Sequence, residues 1–171
     1  MGKIVILVGL GANLASPTHG PPRLTCEAAL AELECAGVGI EARSRWYESA
    51  PIPPSDQPWY VNGVARLSTA LEPAGLLAFL HDIERRLGRV RGAANAARVI
   101  DLDLLAHGDR VSDGGDGPVL PHPRLAERAF VLVPLAEVAP GWRHPRTGLT
   151  VEEMLAALPP GRAIMPLANG S

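Results

Sequence analysis

The chain has 171 residues, 47% of them hydrophobic, and a formal net charge of −2. That length suits one well-buried domain and is short for two, and the near-neutral charge leaves no basic field for nucleic acid. No apolar run approaches the roughly 18–20 residues that a membrane helix needs, which excludes a helical span.

Residues 3–8 form a β-branched, apolar run that predicts a buried strand. Gly9-Leu10-Gly11-Ala12-Asn13 follows, and its two glycines predict a tight turn leaving that strand. A dinucleotide fingerprint is the weaker alternative, because the third glycine is missing. Residues 16–22 are a polar, proline-bearing loop. A helix is expected over 23–35, with Leu24, Ala28, Leu30, Ala31 and Leu33 on its apolar side and Gly37 as its stop. Cys26 and Cys35 lie nine apart on that helix, on opposite faces. This excludes a disulfide within the helix, and the spacing does not suit zinc. Both are expected as buried thiols in a reducing cytoplasm. The start lacks a signal-peptide pattern, consistent with the same compartment.

Residues 38–47 alternate as a second strand. Residues 50–58 carry four prolines in nine positions, which stiffens the segment and removes backbone donors. A wall of a binding site and a plain surface connection both fit. Residues 59–68 alternate as a third strand, with Tyr60 and Asn62 on one face. An aromatic ring beside an amide can stack on a flat heterocycle and read its edge, although a tyrosine at a core margin is the commoner case. Pro73 opens a second helix whose stripe is Leu76, Leu77, Leu80, Ile83 and Leu87, and Gly88 stops it.

Residues 85–98 hold five arginines in fourteen positions: Arg85, Arg86, Arg89, Arg91 and Arg98. The first two suit an exposed helix face. Guanidinium forks match phosphate oxygens, so Arg89, Arg91 and Arg98 are assigned to an anionic ligand. Directly after them, residues 98–105 alternate as a strand that puts Asp101 and Asp103 on one face and Ile100, Leu102 and Leu104 on the other. Two like charges on one strand face repel. A hard cation such as Mg²⁺ would compensate them, as would solvent or the nearby arginines.

A short return strand is expected at Arg110 and Val111, then a flexible loop over 112–117. His122 is held between Pro121 and Pro123. Residues 125–128 form a helical turn. Residues 130–138 read as helix or strand, with Pro134 leaving the choice open. Thr150-Val151-Glu152-Glu153 is a capping box, so 151–158 is a short helix. The tail, 159–171, is expected to be loose. The alternation of elements favours an α+β two-layer sandwich, with helices over one mainly antiparallel sheet.

Several of these stretches, in order, resemble the 6-hydroxymethyl-7,8-dihydropterin pyrophosphokinases of folate synthesis. They are Gly11-Ala12-Asn13-Leu14, Tyr47 through Asp56-Gln57-Pro58 to Tyr60-Val61-Asn62, Ile83-Glu84, and Gly88-Arg89-Val90-Arg91. Arg98-Val99-Ile100-Asp101-Leu102-Asp103, Leu120-Pro121-His122-Pro123, Arg128 to Phe130 and Val133-Pro134-Leu135 complete the set. The resemblance implies a ferredoxin-like fold and transfer of pyrophosphate from ATP to a pterin hydroxymethyl group, releasing AMP. It implies that Asp101 and Asp103 hold two Mg²⁺ ions and that Arg89 and Arg98 hold phosphates during transfer. Tyr60 and Phe130 would flank the pterin, Asn62 would read its edge, and Pro51, Ile52 and Pro53 would line its pocket. Glu84, Arg91, Leu104, His122 and Arg128 match positions around ATP.

The sequence departs from the family at residues 92–98. The family usually has Arg-Trp-Gly-Pro-Arg before its aspartates, and here the stretch reads Gly-Ala-Ala-Asn-Ala-Ala-Arg. A closing loop without its aromatic should shield the site from water less well. A relative acting on a modified pterin, or a non-catalytic pterin or nucleotide binder, is therefore the alternative. The expected protein is a single domain over 1–171, monomeric and cytoplasmic. Its ligands are ATP and a dihydropterin, with neither nucleic acid nor membrane as partner.

Overall fold

The computed structural model describes residues 3–90, 92 and 96–168. Arg91 and the substituted positions 93–95 therefore lie outside the described residues.

Strand β1 (Ile6–Ala12) leads into helix α1 (Pro22–Cys35). Strands β2 (Gly39–Arg43), β3 (Tyr47–Ser49) and β4 (Tyr60–Ser68) precede helix α2 (Pro73–Arg86). Strand β5 (Asp101–His107) carries the acids, and a small β6–β7 hairpin (Ser112–Asp113 with Val119–Leu120) follows. A 3₁₀ turn (Leu125–Glu127) leads to α3 (Ala129–Val138), α4 (Val151–Ala157) and β8 (Ile164–Pro166). The main sheet runs β5-β1-β4-β3-β8, with β2 also paired to β4. Every pairing within it is antiparallel. No helix among the described residues is long and apolar enough to cross a membrane.

The expected α+β fold on one mainly antiparallel sheet forms, but its helices cover both faces rather than one, so it is not two-layered and each sheet face has its own core. Ile6, Val8, Leu10, Leu102 and Leu104 pack on one face against Leu30 and Leu33 of α1 and Leu76, Leu80 and Ile83 of α2. On the other face Leu7, Val64 and Leu105 pack against Val131, Leu132 and Leu135 of α3 and Met154 of α4. The second core occupies only part of its face. Tyr60, Asn62, Asp101 and Asp103 belong to the same strand face as Val64 and Leu105 and line the open remainder.

Several local expectations change. The Gly9–Ala12 segment is not a turn but the second half of β1, because Gly9 and Gly11 pair across to Asp103 and Asp101. The long second strand is broken after Arg43. The Ser44 hydroxyl takes the Val64 N–H at 3.0 Å and donates to the Arg45 carbonyl at 2.7 Å, and Tyr47 resumes the pairing with β4. The return strand falls at 112–113 rather than 110–111, inside the stretch expected to be loose. Within the tail, residues 164–166 pair antiparallel with β3, so this part is an edge strand rather than a loose end.

Residues 129–138 are helical despite Pro134. The run is apolar on nearly all sides because α3 is buried between the sheet and α4, which explains why periodicity left helix and strand open. The Thr150 N-cap forms as expected, with the Glu153 N–H donating to its hydroxyl at 3.1 Å, and that hydroxyl donates to the Glu153 carboxylate at 3.1 Å. Cys26 is buried as expected, but Cys35, half a helical rotation away, is exposed.

Candidate active site

The open part of the sheet face forms a cavity of about 400 Å³. Its floor is set by register. Gly11 lies between Asp101 on β5 and Asn62 on β4, and Gly9 lies between Asp103 and Val64. Glycine keeps this floor low. A Cβ at Gly11 would come within 3.1 Å of the Asn62 side-chain oxygen. Asn62 is buried and donates to the Ser49 hydroxyl at 2.6 Å, which fixes the amide's orientation.

Asp101 is held from two sides. Arg89 donates to one of its oxygens at 2.9 Å and Arg98 to the other at 2.9 Å. Arg89 also donates to Glu84, whose carboxylate accepts the Leu102 N–H at 2.9 Å. Glu84 is buried, and that burial raises its pKa against the opposing pull of the Leu102 hydrogen bond and Arg89. Glu84 therefore braces Arg89 and the backbone of β5 from behind.

Asp103 is less well compensated. Its one ion-pair partner among the described residues is Arg128, at 3.9 Å. Burial, and then the Asp101 carboxylate, push its pKa up to about 7. Arg128 lies 5.4 Å from the centre of the Phe130 ring, placing a cation over an aromatic face at the cavity wall. Burial and Arg128 lower the pKa of His122. Its Nδ1 accepts the Arg124 N–H at 3.2 Å, leaving Nε2–H as the donor for a ligand.

The proline-rich wall is fastened to the arginine segment by Asn13, which is buried. Its amide donates to Gln57 Oε1 and to the Pro58 carbonyl, both at 3.1 Å, and its Oδ1 accepts the Arg98 N–H at 2.8 Å. The Arg98 carbonyl in turn accepts the Asn13 and Leu14 N–H groups.

Most of the candidate residues thus converge. Pro51, Ile52, Pro53, Tyr60, Asn62, Arg98, Asp101, Asp103, His122, Arg128 and Phe130 all line the one cavity. Arg89 stands directly behind Asp101. Two candidates do not face it: Glu84 is the buried brace, and the Leu104 side chain lies in the core under α1 and α2. The structure adds Gly9, Gly11, Ser49 and Gln57 to the lining, with Asn13 beside them. Asn13 and Gln57 were in motifs already singled out, but only register and hydrogen bonding reveal their part.

The family model described as 7,8-dihydro-6-hydroxymethylpterin-pyrophosphokinase matches residues 7–140, more than three-quarters of the chain. The chain belongs to this family. It is 40% identical over 165 residues to a 2-amino-4-hydroxy-6-hydroxymethyldihydropteridine pyrophosphokinase of Synechocystis sp., covering 96% of this chain and 80% of that one. The protein of the same name from Pseudomonas aeruginosa is 43% identical over 155 residues, 90% of this chain and 91% of its own. A crystal structure of Plasmodium falciparum HPPK-DHPS with pteroate superposes over 91% of this chain with a TM-score of 0.67. At 12% identity that likeness concerns the fold alone, and the present chain spans 42% of that longer one.

Proposed function

We propose that this protein is a pyrophosphokinase that transfers the terminal diphosphoryl group of ATP to 6-hydroxymethyl-7,8-dihydropterin, giving AMP and the pterin diphosphate. The observation that carries this beyond family membership is the face of β5. Two carboxylates point from it over a glycine floor, ringed by arginines, into a cavity whose other wall is Tyr60, Asn62 and Phe130. Such a site offers cation ligands and phosphate donors at one end and a flat, edge-reading slot at the other.

The donor set fits Mg²⁺. Hard oxygen ligands suit it, and it commonly takes only one or two carboxylates, completing its shell with water and substrate phosphates. Asp101 and Asp103 supply such a pair, and two ions are the expectation for this site. The chemistry supplied by bound Mg²⁺ is charge neutralisation on the phosphate oxygens.

The chain's own residues do the rest. Arg89 and Arg98 occupy both oxygens of Asp101 in this structure. The Arg98 guanidinium, which lines the cavity, is thus already placed beside the position of the phosphates and can exchange a carboxylate for phosphate oxygens with little movement, while Arg89 would reach them from behind Asp101. Tyr60 and Phe130 flank the pterin ring, and Asn62, pinned by Ser49, hydrogen-bonds its edge. Pro51, Ile52 and Pro53 close the pterin end, while His122 and Arg128 contact ATP. The hydroxymethyl oxygen bonds to the β-phosphorus in line as the bond from that phosphorus to the AMP oxygen breaks. The hydroxyl proton passes to solvent. Positioning and electrostatic stabilisation account for the acceleration.

Asp103→Asn tests the assignment. It removes the charge at near-constant volume, so AMP release should fall by at least about 100-fold, the scale typical of losing one electrostatic stabiliser, with the circular dichroism spectrum unchanged. Near-normal turnover would overturn the assignment of Asp103.

A further inference from the structure

The family match ends at residue 140, yet a later residue reaches the cavity. Arg162 lines it beside the proline-rich wall. Its approach is fixed by backbone pairing with the segment that leads into the wall. The Ala50 N–H donates to the Ala163 carbonyl at 3.2 Å, β8 pairs Ile164 with Ser49, and the Leu167 N–H donates to the Trp46 carbonyl at 2.8 Å. The tail is therefore stitched to β3, the strand that runs into the Pro51–Pro53 wall and carries Ser49, the partner of Asn62.

Arg162 also differs electrostatically from the other arginines of the cavity. Arg98 pairs with Asp101 at 2.9 Å, Arg128 with Asp103 at 3.9 Å and Arg124 with Glu127 at 3.9 Å. Among the described residues Arg162 has no carboxylate partner, and it holds its charge at the cavity rim. A guanidinium fork without a protein anion, at the mouth of a site whose ligands carry phosphates, has one obvious counterpart.

We infer that Arg162 is a further phosphate-binding residue, brought to the site by β8 and contacting the phosphate oxygens of the ligand in this cavity. The inference rests on the pyrophosphokinase reading for the identity of the ligand. It predicts that the C-terminal strand is part of the active site rather than an appendage to the fold.

The test compares a charged and an uncharged occupant of one pocket. Affinities for the pterin diphosphate and for 6-hydroxymethylpterin, which has no phosphate, are measured by calorimetry on wild type, Arg162→Ala and Arg162→Lys. The inference predicts that Arg162→Ala weakens the diphosphate by about tenfold, the scale of one charge-assisted hydrogen bond. The phosphate-free pterin should change by less than about twofold, and Arg162→Lys should recover part of the loss. Equal weakening of both compounds would mean a structural role and overturn the inference, as would no weakening of either. The comparison needs no turnover. A wild type that binds both pterins but transfers nothing from ATP would refute the proposed reaction and leave this result standing, whereas one that binds neither pterin would overturn both.

Discussion

Replacing Glu84 by alanine should destabilise the protein far more than a surface carboxylate would. Glu84 is 2% exposed, accepts the N–H of Leu102, itself buried, and takes a charge-assisted bond from Arg89. Leaving the Leu102 donor unsatisfied costs about 1–3 kcal/mol, and losing the bond from a charged guanidinium about 1.5–3 kcal/mol. Arg89 keeps Asp101, so it is not stranded. The two losses share a network and do not add in full, so the expected total is about 3–5 kcal/mol. In urea, with a slope near ~2 kcal/mol/M, the midpoint should fall by roughly 1.5–2.5 M at unchanged slope. Glu84→Gln keeps the shape and an oxygen for Leu102, so it should lose less than Glu84→Ala. Burial raises the Glu84 pKa in the folded state, so the folded chain holds this proton more tightly than the unfolded one. Wild type should therefore gain stability relative to Glu84→Gln as pH falls from that raised value into the ordinary carboxylate range. A Glu84→Ala midpoint within about 0.5 kcal/mol of wild type, the scale of an ordinary surface substitution, would refute the brace.

Gly63→Ala should cost about 1–3 kcal/mol by overpacking, read as a lowered urea midpoint. The new Cβ would lie 2.5 Å from a Trp46 ring carbon, and that ring is held by its N–H to Glu27 at 2.8 Å. An unchanged midpoint would mean that the ring gives way. Iodoacetamide at pH 8 should modify Cys35 alone in the native protein and both thiols in urea, followed by intact mass. Cys35 is exposed, whereas burial, with Glu27 nearby, pushes the Cys26 thiol up to about 12. Two adducts on native protein would contradict that burial.

The parts of this structure legible in the sequence are those governed by short-range rules. Alternation alone put Asp101 and Asp103 on one face and Leu102 on the other, and the Thr150–Glu153 cap was readable from four residues. The apolar stripe of α2 was equally plain. What escaped was set by register between distant segments. Gly9 and Gly11 look like turn residues until their partners, Asp103 and Asp101, are known to need a floor without side chains. Glu84 and Leu104 sit in motifs associated with a ligand, but the pairing of β5 and the packing of α2 turn Leu104 into the core and bury Glu84 behind Arg89. The apolar run of the tail, Ala163-Ile164-Met165, is too short, and too closely hemmed by Pro159, Pro160, Gly161 and Pro166, to announce a strand. Residues 164–166 become one because the open edge of β3 supplies the backbone partners that their composition does not suggest.

The central claim is most directly tested by phosphorus NMR of the purified protein with ATP, Mg²⁺ and 6-hydroxymethyl-7,8-dihydropterin. AMP and a pterin diphosphate accumulating together, in equal amounts, is the predicted result. ADP with a pterin monophosphate would contradict attack at the β-phosphorus. Unchanged ATP, with the pterin still bound, would contradict the activity itself and leave a binding protein in its place.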